Sequence, residues 1–226
     1  MNIHDNLENV KSKIPEEVTL IAVTKTRNID EMKVVYESGL RDFGENKVQE
    51  LVEKYDAFPK DLRWHLIGKL QRNKVKYIAG KVYLIHSLDN VKLLQEIEKQ
   101  FSKINKVAQV LIEINIGRED TKSGILLEEL DELLNMIEEC NNVRVRGLMA
   151  IIPKGDEESC RKYFREMKSI WDELKNNKYK NISMDYLSMG MTNDFVFAIQ
   201  EGSNMVRVGE GIFGKRNYNK DVKEDL

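Results

Sequence analysis

Lys25 closes a nearly uninterrupted apolar run in the stretch LIAVTKTRN, Leu20 to Asn28. A run of this length reads as a strand buried on both faces, and period-two alternation puts Ile21, Val23 and Lys25 on one side. Either the ammonium snorkels to water from the strand mouth, or a partly desolvated amine is neutral often enough to attack a carbonyl. Arg207 raises the matching question near the other end of the chain. It sits in MVRVG with valines on the opposite face, so its guanidinium is expected to point inward, where it needs an acceptor that a ligand could supply.

Around these two cations lie residues suited to holding an anion. Ser188, Gly190, Thr192 and Asn193 follow one apolar run, and Gly209, Gly211 and Gly214 follow the next. Hydroxyls and free N–H groups there could cradle a phosphate, or Ser188 or Thr192 could simply cap a helix. In FGEN, Gly44 allows close approach and Asn46 either meets a ligand or caps the helix KVQELVEKY. WHLIG places His65 and Ile67 on one face, and QVLIEINIG places Glu113 and Asn115 together, in need of each other or of an internal cation. A lysine for a carbonyl, a phosphate cradle and an inward arginine suggest a phosphorylated aldehyde. Two classes fit: an aldolase-like enzyme forming a transient Schiff base with a sugar phosphate, and a protein that keeps pyridoxal 5'-phosphate (PLP) on Lys25.

Such residues must be brought together by the fold. Short apolar runs near 18–25, 40–44, 62–67, 82–86, 107–115, 143–150, 183–188 and 204–208 alternate with helical patterns such as LQRNKVKYI, VKLLQEIEKQF and SCRKYFREMKSIWDELK. Eight strands, each followed by a helix or its start, predict an α/β protein of the (β/α)8 TIM-barrel type, with an additional N-terminal helix. Chemistry then belongs at the C-terminal strand ends, where Lys25 falls, and phosphate beside the last two strands. No GxGxxG follows the first strand, which argues against an open dinucleotide-binding sheet.

The 226 residues and 41% hydrophobic content suffice for one sizeable core, and no linker divides the chain. A single domain over 1–226 is expected, with about 217–226 a frayed charged tail. A net charge of −2 gives no general pull toward nucleic acid or anionic membrane, and the basic stretch Lys69 to Lys81 reads as a solvated helix face. Cys140 and Cys160 are too few for a disulfide framework and lie in no metal-spaced cluster. A cytoplasmic protein without a membrane span is expected.

With these residues assembled, the chain resembles the pyridoxal phosphate homeostasis protein family, single-domain relatives of the alanine racemase barrel. The resemblance is carried in order by AVTKT, FGENKVQE, WHLIGKLQRNK, the IHS of the fourth strand, KSG at Lys122–Gly124, RGLMAI, LSMGMTNDF and MVRVGEGIFGKR. It implies PLP bound covalently by Lys25, its phosphate held by Thr192 and the N–H groups of Gly209 and Glu210, and its pyridine nitrogen facing Arg207. Asn46 is implied near the cofactor, and His65, Met149 and Ser188 as pocket lining. Glu210 stands where the family often has a small hydroxyl residue, which leaves a backbone contact possible and removes a side-chain one. An arginine beside the ring nitrogen leaves it unprotonated and weakens PLP as an electron sink. A racemase of this lineage also needs a tyrosine from a partner's C-terminal β-domain, for which this chain has no residues after its eighth strand. The resemblance therefore implies a PLP-homeostasis protein rather than an enzyme with a known turnover. A slow amino-acid racemase or lyase is the alternative, and the cofactor-free aldolase ranks third. A monomer is expected, with PLP and PLP-dependent apoenzymes as partners.

Overall fold

The computed structural model describes residues 2–215; the expected tail at 217–226 lies outside the described residues. Eight parallel strands close in sequence order, with β8 back on β1. They are β1 (Thr19–Val23), β2 (Asp42–Glu45), β3 (Arg63–Leu66), β4 (Leu84–Leu88), β5 (Ala108–Glu113), β6 (Val143–Met149), β7 (Ile182–Ser188) and β8 (Met205–Val208). This is the TIM-type barrel expected from the sequence. The helices are α1 (Ile3–Lys11), α2 (Ile29–Glu37), α3 (Val48–Tyr55), α4 (Val75–Ile78), α5 (Val91–Ser102), α6 (Leu130–Glu138), α7 (Glu157–Asn176), α8 (Phe195–Gln200) and α9 (Glu210–Phe213).

Alternation sorts every strand. Leu20, Ala22, Trp64 and Leu66 join the large apolar layer between strands and helices, whereas Ile21, Leu84, Leu111, Met149 and Met205 form a separate cluster in the barrel interior. The helices supply matching stripes, as in α5, where Leu93, Leu94, Ile97 and Phe101 are buried. Each such side chain contributes about 1.5–3 kcal/mol on burial. The N-terminal helix lays Leu7 and Val10 on the core, and Asn6 donates to the carbonyl of Ile212, joining α1 to α9.

Some expected boundaries move. The fourth strand begins at Leu84 rather than 82. The segment LQRNKVKYI is a 3-10 turn, Arg72–Lys74, followed by the single turn of α4, so the basic residues face solvent as expected but on two short turns rather than one helix. Pairing registers shift between β4 and β5, β5 and β6, and β6 and β7. At the last shift Gly147 has φ +144° and brings its backbone so near β7 that a Cβ would lie 1.8 Å from the Tyr186 carbonyl oxygen. Only glycine fits there. Among the described residues no helix is long and apolar enough to cross a membrane.

Candidate functional site

Lys25 stands two residues past the end of β1, half-buried, in a turn whose next residue, Thr26, has φ +63°. A threonine there is unusual and needs outside support. The support comes from α3 and the end of β2. Glu50 accepts the Thr26 N–H at 2.7 Å, Glu45 accepts the Thr24 hydroxyl at 2.6 Å, and Lys54 donates to the Thr24 carbonyl at 2.9 Å and to Glu45 at 2.8 Å. Burial raises the Glu45 carboxyl above its usual range, with Lys54 opposing. At Glu50 burial also pushes up, but the Thr26 N–H and Lys54 outweigh it and hold the carboxyl low.

Arg207 is buried at 3% exposure and points into the barrel, as the alternation predicts. Its acceptors are the protein's own: Nη1 donates to the Ser188 carbonyl at 2.8 Å and to Ser188 Oγ at 2.6 Å, and Nη2 donates to the Ala150 carbonyl at 2.9 Å. Burial lowers its pKa to about 10, with Glu113 and then Asp194 opposing, so it stays charged at neutral pH. Gly190, at φ +95°, turns its carbonyl to accept the Arg207 N–H at 3.0 Å, a conformation that favours glycine.

Lys25 and Arg207 line one cavity of about 550 Å³ at the C-terminal ends of β1, β7 and β8, together with Val23, Thr192, Gly209 and Glu210. Thr192 Oγ1 accepts the Gly211 N–H at 3.2 Å, which caps α9 from the neighbouring loop and leaves the threonine O–H free to donate. Neither Thr192 nor Ser188 caps α8, whose N-cap is Asp194. Glu210 is an exposed residue on the rim of the same cavity.

The remaining expected residues lie elsewhere. Asn46 does not cap α3, whose N-cap is Lys47 with no side-chain bond; it is half-buried just past β2 and is not among the cavity walls. Met149 is fully buried in the interior apolar cluster and is not among the cavity walls. His65 and Ser188 are also fully buried and belong to a hydrogen-bonded file. Asp42 Oδ1 meets His65 Nε2 at 3.0 Å, His65 Nδ1 meets His86 Nε2 at 3.0 Å, and His86 Nδ1 meets Ser188 Oγ at 3.2 Å. Asn115 does not pair with Glu113; its amide bridges to the Glu119 backbone. Glu113 is 4% exposed, its Oε2 has no partner, and burial with the nearby Asp89 charge raises its pKa to about 7 against Arg207 and Lys69.

Residues 1–217 match the family described as the alanine racemase N-terminal domain. A pyridoxal phosphate homeostasis protein of Aquifex aeolicus is 47% identical over 201 residues, 88% of this chain and 87% of the relative. The chain belongs to the pyridoxal phosphate homeostasis protein family. A solved structure in the same group, PipY of Synechococcus elongatus with PLP bound, superposes with a TM-score of 0.86 at 30% identity, covering 94% of this chain and all of that one. The alanine racemase of Clostridium difficile shares the fold alone, at TM-score 0.80 and 15% identity over 57% of its length. The motifs that carry the resemblance drew attention to Lys25, Thr192 and Arg207; they also include Glu45, Glu50 and His86 but do not say what these meet, and Asp42 and Lys54 lie outside them. For Asp42 the only signal was a polar residue on an apolar strand, since a buried polar group needs a partner.

Proposed function

We propose that this chain binds PLP in the cavity at β1, β7 and β8, holds it covalently as a Schiff base on Lys25, and serves PLP homeostasis. The observation that carries the reading is that one cavity is walled by an amine, a buried guanidinium and a hydroxyl beside glycine backbone. These groups match an aldehyde, a pyridine ring and a phosphate in turn. PipY, which shares the fold over its whole length, has been solved with PLP bound.

When bound, PLP supplies an aldehyde for the lysine and a conjugated ring able to draw electrons. Lys25 provides the nucleophilic nitrogen from a turn fixed by Glu45, Glu50 and Lys54. Thr192 donates its O–H to a phosphate oxygen, with the N–H groups of Gly209 and Glu210 beside it. Arg207 keeps its proton at neutral pH and so offers the ring nitrogen a hydrogen bond without protonating it. That restrains carbanion chemistry and favours holding PLP over turning it into a catalyst. Asn46, His65, Met149 and Ser188 act from behind these groups.

The test is borohydride reduction of the PLP-loaded protein with the modified peptide located by mass. Lys25 should carry the label, and Lys25→Ala should lose both label and visible absorption band while remaining folded. Label on another lysine in the unaltered protein overturns the assignment. Parallel titrations with PLP and pyridoxal should differ by orders of magnitude, because each charge-assisted hydrogen bond to phosphate contributes roughly 1.5–3 kcal/mol. Thr192→Ala should narrow that gap by about one such bond. Equal affinities withdraw Thr192, Gly209 and Glu210 from the site.

A further inference from the structure

Five polar side chains cross the barrel interior in one unbroken file. Arg207, at one end, lines the cavity with Lys25; Asp42 and Arg63, at the other, line a cavity of about 300 Å³ at the N-terminal ends of β1, β2 and β3. His65 and His86 between them are fully buried, as is Ser188.

The donors and acceptors can be assigned from the Asp42 end. Asp42 pairs with Arg63 and is ionised, hence acceptor only. His65 Nε2 therefore carries the hydrogen. Burial holds both imidazoles neutral, His86 further below its usual range than His65, whose contact with Asp42 opposes the effect. A neutral His65 then accepts at Nδ1, so His86 Nε2 donates to it, and His86 Nδ1 accepts the Ser188 O–H. The lone pairs of Ser188 Oγ remain for Arg207 Nη1. Each junction holds one hydrogen, and with neutral rings and ionised Asp42 no other assignment satisfies all four.

We propose that Asp42, His65, His86 and Ser188 are positioning residues for Arg207, a directional hydrogen-bond chain that fixes the guanidinium as donor and couples its electrostatics to the opposite end of the barrel. A set of merely satisfied polar groups would require pairing but no transmission. Transmission means that a change at Asp42, four links away, is felt where Arg207 lines the cavity. Other groups around the file are Arg63 and Tyr83 beside His65, Tyr186 hydrogen-bonded to Tyr83, and Glu113 and Asp194 acting on Arg207. The role of the chain toward the pyridine ring rests on the PLP reading above.

Two measurements test it. In the unliganded protein, nitrogen-15 NMR of the imidazoles should show both rings neutral, protonated at Nε2, and unchanged from mildly acidic to mildly alkaline pH. A ring protonated at Nδ1, or one that titrates in that span, overturns the chain. In the PLP-loaded protein, Asp42→Asn removes the fixed acceptor and Ser188→Ala cuts the link next to Arg207. Both should shift the visible band, leave the label on Lys25, and weaken PLP by roughly ten- to a hundredfold, the worth of one charge-assisted bond. Ser188→Thr should restore the band. If either variant fails to fold, the other and the NMR pattern decide. Folded variants with unaltered band and affinity overturn the proposal even though Lys25 holds PLP. Absence of PLP from Lys25 in the unaltered protein would instead defeat the functional reading, while the tautomers still judge the chain.

Discussion

Ile21, Leu84, Leu111, Met149 and Met205 fill part of the barrel interior by volume, whereas Asp42, His65, His86, Ser188 and Arg207 fill another part by pairing. The first set is held by close packing, in which any side chain of suitable shape serves and a missing one leaves a void. The second depends on order. Each member satisfies its neighbour, so removing one leaves a buried donor or acceptor without a partner. Apolar filling stabilises the barrel at its centre, and the polar file gives a charged group a defined orientation near the mouth.

The largest expected effect lies on the packed side. Leu111→Ala, at a fully buried position, should lower stability by about 2–5 kcal/mol in denaturant unfolding, with PLP affinity changed little by comparison. A cost near zero would mean that the interior is loosely filled and that the contrast fails.

Glu113 belongs to neither set, since among the described residues its Oε2 has no hydrogen-bond partner, and it offers the next largest effect. Its pKa rises from the ordinary 4.5 to about 7 in the folded chain, so between those values the folded state holds a proton that the unfolded state has lost. The resulting stability is complete below the unfolded value and is lost as pH rises through the folded one. Glu113→Gln should therefore leave stability near pH 4 little altered and raise it by up to ~3 kcal/mol near pH 8. Parallel unfolding curves for the two proteins across that range would show that Glu113 is already paired or hydrated.

The smallest effect is a volume-conserving change. Met149→Leu should cost less than about 1.5 kcal/mol and leave the visible band in place. A shifted band with unchanged stability would assign Met149 a direct part in the cofactor site and redraw the line between the two sets.

The contrast also explains what could be read from the sequence. The barrel was legible because eight apolar runs alternate with helical stripes; the inward direction of Arg207 followed from its neighbours Val206 and Val208, whereas WHLIG gave only that His65 faces away from Trp64 and Leu66. Period two says which way a side chain points, but it is silent about what it meets. His86 and Ser188 are 102 residues apart, and their contact exists only because the sheet closes. Boundaries failed where local pattern and packing diverged: Leu70, Val75 and Ile78 are buried as a helix would bury them, yet Arg72–Lys74 winds as a 3-10 turn. The support beneath Lys25 was equally hidden, because Glu45, Glu50 and Lys54 read as ordinary charged residues at the end of β2 and on α3.

That support has a consequence for time. The turn bearing Lys25 is fastened through Thr24 on one side and Thr26 on the other, to side chains from β2's end and α3. With its backbone held, movement of the Lys25 side chain is left to rotation about the bonds of its own methylene stem, a motion of picoseconds to nanoseconds rather than the microseconds of a collective opening. If Lys25 carries PLP as proposed, exchange there would be paced by entry into the cavity and by the making and breaking of the carbon–nitrogen bond, without a slower movement of this turn placed in series.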